Sequence, residues 1–234
     1  MKIKISHSIL AAGFVVLFAC KKDNYEAPTS VLSGKLVYKG ETFGVEKDQV
    51  PFQLYEFGFG KVGPIGQTFS QDGTYSSNLF DGTYKLIIPN GQGPFLWKKT
   101  AAGNPDTTVI TMKGNQSLDL DVIPYYMIRT PQVTASAGKV NATFKVEKII
   151  TDAANAKNIE NVGLYINRTQ FASNGTNIAA STVAGSAITD PNNIALSVSI
   201  PTLTPTQNYV YARIGVKIAG VEDRLYSPVV KVSF

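Results

Sequence analysis

Gln71-Asp-Gly-Thr-Tyr75 and Phe80-Asp-Gly-Thr-Tyr-Lys-Leu-Ile-Ile88 carry the same Asp-Gly-Thr-Tyr unit twice in quick succession. Asp-Gly makes a tight turn, because glycine accepts positive φ and the aspartate carboxylate can bond its own backbone. Each tyrosine then opens an antiparallel strand. Upstream, Val31-Leu-Ser-Gly-Lys-Leu-Val-Tyr38 and Val50-Pro-Phe-Gln-Leu-Tyr-Glu-Phe57 read as strands. In the latter, Phe52, Leu54 and Glu56 share one face and Gln53, Tyr55 and Phe57 the other. No amphipathic helix pattern of useful length follows in the rest of the chain. The class is all-β.

The downstream half repeats the message. Val140-Asn-Ala-Thr-Phe-Lys-Val146 alternates cleanly, predicting Val140, Ala142, Phe144 and Val146 inward. Val162–Ile166 and Ile194–Ile200 are further strands. Leu203-Thr-Pro-Thr-Gln-Asn-Tyr209, continuing to Val216, resembles the fibronectin type III signature, which implies that Tyr209 starts a strand through a corner hydrogen bond. Tyr226–Phe234 is read as the last strand, with Pro228 at an edge. Between the halves, Val122-Ile-Pro-Tyr-Tyr-Met-Ile-Arg-Thr-Pro131 is a short extended segment bracketed by prolines, which suits a domain boundary.

Ser33-Gly-Lys-Leu-Val37, Asp72-Gly-Thr-Tyr75 and Leu79–Leu86 together resemble the carboxypeptidase-regulatory, transthyretin-like sandwich, implying a seven-stranded Greek key. With Asp23-Asn-Tyr-Glu-Ala-Pro28, Gly93-Pro-Phe95 and Val122-Ile-Pro-Tyr-Tyr126, the chain resembles an uncharacterised family of two-domain Bacteroidetes lipoproteins. That family is encoded beside polysaccharide-utilisation transporters. The expected organisation is a signal peptide at 1–19, a tether at 20–30, a transthyretin-like domain at 31–124 and an immunoglobulin- or fibronectin III-like sandwich at 128–234.

The amino terminus reads as an address. Lys2 and Lys4 precede an uncharged apolar run, Ile9–Ala19, too short to span a bilayer and suited to a signal peptide. Leu17-Phe-Ala-Cys20 resembles a bacterial lipobox, which implies acylation of Cys20. The Lys21-Lys-Asp-Asn24 that follows resembles the surface-export signals of Bacteroidetes lipoproteins, which implies anchoring to outer-membrane lipid, facing the exterior. Phe18 is bulkier than the small residue usual there. A cleaved secretory peptide with an incidental cysteine is the alternative. His7 and Cys20 are the chain's only histidine and cysteine, so once the signal is removed and Cys20 acylated the folded part can build no histidine triad, thiol nucleophile or His/Cys zinc site. Loss of residues 1–19 lowers the net charge from +5 to +3, and basic residues never cluster beyond a pair; nucleic-acid binding is not expected.

Carboxylates in strands or turns are the remaining catalytic candidates. Asp119 and Asp121 share a strand face and read as solvated; Asp72 and Asp81 read as turn formers. Asp190, Asn192 and Asn193 could ligate calcium but make an ordinary turn. The glycine run 58–66 lacks phosphate-loop spacing. Asp106-Thr-Thr108 resembles the O-glycosylation acceptor of Bacteroidetes exported proteins. For a ligand, the candidates are Phe95 and Trp97 in the glycine-rich stretch Asn90–Lys99, against a packing role for the same rings, the reading that Tyr125 and Tyr126 also receive. No cofactor or catalysis is expected. The functional expectation is an accessory carbohydrate-binding or assembly module with a glycan and a TonB-dependent transporter complex as partners. The alternative is an adaptor that binds the transporter and has no glycan affinity.

Overall fold

The computed structural model describes residues 26–58 and 63–234. The signal segment, His7, Cys20 and most of the tether lie outside them. The first half holds β1 (Ser30–Tyr38), β2 (Glu41–Thr42), β3 (Pro51–Glu56), β4 (Ile65–Thr68), β5 (Thr74–Leu79) and β6 (Gly82–Ile87). It continues with β7 (Phe95–Leu96), β8 (Thr108–Met112), β9 (Gln116–Ser117), β10 (Leu120–Asp121) and β11 (Ile123–Pro124). β1 is central to one sheet, with β5 and β2 antiparallel on one flank and β9 and β10 parallel on the other. The sheet β4-β3-β6-β8 supplies the second layer, and β7 pairs with β11. Phe52 packs on Phe69 and Tyr75, with ring centroids 4.9 and 5.0 Å apart.

The two Asp-Gly-Thr-Tyr units have diverged. Asp72 closes its own turn, accepting from the Thr74 N–H at 3.1 Å and the Thr74 hydroxyl at 2.7 Å. Tyr75 then enters the core and its hydroxyl donates to the Leu118 carbonyl at 2.6 Å. That carbonyl also explains Gly34, since a Cβ there would lie 1.9 Å from the Leu118 oxygen. Asp81, expected to form a turn in the same way, instead accepts from the Ser30 hydroxyl and from the Gly114 N–H at 3.0 Å. It ties β1 to the β8–β9 turn, and the Ser30 bond foremost holds its pKa below the usual carboxylate value.

The second half holds β12 (Tyr126–Ser136), β13 (Lys139–Lys148), β14 (Ile159–Asn167), β15 (Ala179–Ala184), β16 (Ile194–Ser199), β17 (Tyr209–Ile218), β18 (Arg224–Tyr226) and β19 (Val230–Ser233). The sheet β12-β13-β16 faces one of order β15-β14-β17, whose far edge is completed by β18 and β19 in turn. This is an immunoglobulin-like sandwich. Val140, Ala142, Phe144 and Val146 point into its core as the alternation requires. Pro228 falls between β18 and β19 and divides what reads as a single terminal strand. Tyr209 makes no corner bond: among the described residues its hydroxyl has no hydrogen-bond partner. Its ring lies under Lys231 at 3.9 Å, and Gln207 Nε2 ties the corner by donating to the Tyr209 carbonyl at 2.7 Å. Among the described residues no helix is long and apolar enough to cross a membrane.

Candidate functional site

β14 and β17 are buried on both faces because the first domain docks on the outer face of their sheet. The contact begins with main chain: Gly44 and Tyr226 exchange N–H···O bonds of 3.1 and 2.8 Å, so a loop of the first domain extends the sheet at β18. Beside this bridge, Arg213 is 1 % exposed. Its guanidinium donates to the carbonyls of Ser227 (2.9 Å), Val45 (3.1 Å) and Gln71, and stacks 4.3 Å from the Tyr226 ring centroid. Val45 and Gln71 belong to one domain and Ser227 to the other. Burial pushes the Arg213 pKa down to about 10, which leaves it cationic at neutral pH. A Cβ on Gly44 would sit 2.2 Å from Arg213 Nη2; glycine is there because the guanidinium occupies that space.

Around this lock opens a cleft of about 750 Å³ with walls from both domains. Glu46, on the β2–β3 loop, accepts from the Ser173 hydroxyl at 2.6 Å, the Gly175 N–H at 3.2 Å and the Tyr226 hydroxyl at 3.1 Å. The Asn174 N–H donates back to the Tyr226 oxygen at 3.0 Å. Burial raises the Tyr226 pKa well above the phenol value, so it stays a neutral donor. The β14–β15 loop thereby reaches the first domain and presents Phe171, 38 % exposed, at the cleft rim, with Lys47 Nζ 5.2 Å from its ring centroid. On the opposite wall, Asp223 accepts from the Gly93 N–H at 2.8 Å across the domain junction, and burial raises its pKa. Acidic and basic side chains line the cleft in equal number.

Phe95 and Trp97 are placed in the core instead, 4 % and 9 % exposed. Phe95 packs edge-on against Phe43 at 6.0 Å, and Trp97 Nε1 donates to the Asp106 carbonyl at 2.8 Å. Neither ring offers the open face that stacking on a sugar requires; the loop keeps a pocket of about 230 Å³. Of its two glycines, Gly93 is held, its N–H donating to Asp223. Tyr125 and Tyr126 are buried at the junction, where the Tyr126 hydroxyl donates to the Lys157 carbonyl at 2.7 Å. Asp190 closes a turn by accepting from the Asn192 N–H at 2.8 Å. Asp119 accepts from the Lys35 N–H at 3.2 Å. Among the described residues no cluster of three potential metal ligands forms.

The cleft residues Glu46, Phe171, Arg213 and Asp223 are not singled out by sequence reasoning. The available signals are an arginine inside a strand otherwise read as buried, and one phenylalanine in the Asn/Ser/Thr/Gly-rich loop Asn167–Asn177.

No curated protein matches the chain. A DUF3823 family protein from Parabacteroides merdae is similar at 32% identity and TM-score 0.76, over 89% of this chain and 100% of that one. One from Bacteroides ovatus is similar at 30% identity and TM-score 0.75, over 87% and 98%. A Bacteroides uniformis structure described as a "putative carbohydrate binding protein" shares the fold at 20% identity and TM-score 0.67, over 88% and 100%. The N-terminal domain of a protein of unknown function, DUF3823, matches residues 30–123, and the domain of unknown function DUF3823_C matches 126–231. The chain belongs to the DUF3823 family.

Proposed function

We propose that the chain is a non-catalytic, lipid-anchored surface protein of a glycan-uptake system that holds an uncharged saccharide in the cleft between its domains. The observation that carries this reading is the cleft: one exposed aromatic ring beside hydrogen-bonding side chains drawn from two domains. Polar groups at fixed positions around an apolar face are what a pyranose, with one apolar face and a hydroxyl rim, requires. The balance of acidic and basic lining groups favours a neutral ligand. Two of the four lining carboxylates are committed to joining the domains, Glu46 to three donors and Asp223 to Gly93, and Asp48 is held by Lys47, which favours binding over hydrolysis. The carbohydrate-binding description of the Bacteroides uniformis relative points the same way. The lipobox-like Leu17–Cys20 supports anchoring through Cys20 at the outer membrane, beside a TonB-dependent transporter.

Calorimetry of the intact ectodomain against plant, mucin and microbial glycans tests the reading. One neutral glycan should bind, and Phe171→Ala should weaken it several-fold, about 1 kcal/mol, without moving the melting temperature. No binding across the panel, with a transporter recovered by pulldown, would establish the adaptor instead.

A further inference from the structure

The three-stranded sheet of the second domain ends unevenly. β16 pairs with β13 only from Lys139 to Phe144. The last link between that side of β13 and its neighbour is the Val146 N–H donating to the Pro191 carbonyl at 2.8 Å. There the Asp190–Asn193 turn carries the chain away from the sheet. On its other flank β13 remains paired with β12 through Lys148, opposite Tyr126. Because N–H and C=O groups alternate sides along a strand, the direction of the Val146 N–H fixes the rest. The Val146 C=O and the Lys148 N–H face the open side, and among the described residues neither has a hydrogen-bond partner.

That open edge borders a slot of about 840 Å³. Tyr126, Ile159, Ile188 and Pro191 contribute apolar lining. Its charge is positive. Arg129 is engaged by Glu147 at 2.6 Å and by Glu41, whereas Lys145 and Lys148 have no carboxylate partner among the described residues. We propose that this slot docks an extended, acidic segment of a partner protein, which adds to the sheet as a strand alongside Val146–Lys148. An acceptor and a donor spaced as a ladder match another main chain, whose own N–H and C=O groups repeat at that spacing. A saccharide carries no such repeat. Lys145 projects from the strand face opposite buried Val146 and selects acidic side chains at alternate positions of the incoming strand, and the apolar lining takes the residues between them. Lys148, on the other face, adds to the positive charge of the slot. The site lies away from the Phe171 cleft and stands whether or not that cleft binds a glycan.

The test uses the intact two-domain chain, ¹⁵N-labelled, with the peptide Ac-Glu-Val-Glu-Ile-Glu-Val-NH₂ as probe. Amide shifts should concentrate at 145–148, and affinity should exceed that of the Lys-for-Glu peptide by roughly tenfold, falling with salt. Lys145→Glu with Lys148→Glu, both on the exposed surface, should invert the preference between the two peptides. A version of the acidic peptide N-methylated at alternate residues keeps the charges but cannot pair, and should not bind. Equal binding by the N-methylated peptide, or no shifts at 145–148 with the acidic peptide, overturns the proposal. Shifts at those amides from tetragalacturonate but not from the peptide overturn it in favour of an anionic saccharide.

Discussion

Arg213→Met removes the cation that joins the domains while keeping an unbranched side chain of similar reach. Three backbone carbonyls lose a charged donor at once, those of Ser227, Val45 and Gln71. Hydrogen bonds to charged groups contribute about 1.5–3 kcal/mol each. Against this, burying a guanidinium costs several kcal/mol, which methionine does not incur. The residual loss is about 2–4 kcal/mol. For a chain of this size, each kcal/mol moves the melting temperature by about 2–4 °C, so calorimetry should show a drop of roughly 5–15 °C. The shape of the transition carries further information. Two of the three acceptors lie in the other domain, so the variant should also lose coupling, and its single transition should broaden or split as each sandwich melts alone. A variant that melts within about 2 °C of the parent, in one sharp step, would refute the claim that this guanidinium joins the domains; the polar contacts would then merely balance their dehydration, as buried ion networks sometimes do.

Trp97→Ala should cost about 3–5 kcal/mol and lower the melting temperature by many degrees, because it empties a core position and orphans the Asp106 carbonyl. A nearly unchanged melt with lost glycan affinity would return this ring to the ligand. Asp223→Asn tests the junction by pH. Burial raises the folded-state pKa of Asp223 above 3.8, so between those two values the native state holds a proton that the unfolded chain does not. Its contribution is therefore greatest below pH 3.8 and is lost as pH rises through the folded value. Asparagine keeps an oxygen for the Gly93 N–H and lacks this loss, so the stability difference, variant minus parent, should grow with pH across that window and then level off. A flat difference in denaturant titrations from about pH 3 to pH 7 would contradict the assignment.

What could be read in the sequence was governed by short-range periodicity. The alternation of Val140, Ala142, Phe144 and Val146 is a local property, set by which face of one strand meets its own core, and the structure keeps it. The same holds for Asp72, whose acceptor role is completed two residues away. Asp81 sits in an identical tetrapeptide, yet its partners are Ser30 and Gly114, brought near only by the closed sandwich. Gly34 could be recognised as a glycine inside a strand, but its reason is the carbonyl of Leu118, which follows the parallel pairing of Ser117 with Ser33 far along the chain.

The candidate site illustrates why a second layer of information stays hidden. Phe95 and Trp97 attract attention because aromatic rings among glycines suggest a mobile loop, and mobility is a statement about the absence of partners. Here the partner is Asp223, supplied by the other domain, so the glycine next to the Pro94–Trp97 segment, Gly93, has its N–H fixed. Arg213 reverses the argument. A charge in the middle of a strand reads as an outward position, and it does point outward from its own sandwich, towards a face that the first domain then covers. Glu46 and Phe171 follow from that docking: the loop carrying Phe171 is held by Glu46, a residue of the other sandwich. A site assembled this way depends on the fixed relation of two domains more than on either fold. A substitution at Arg213 or Gly44, neither of which needs to touch a saccharide, should therefore disturb the cleft as much as one at its rim.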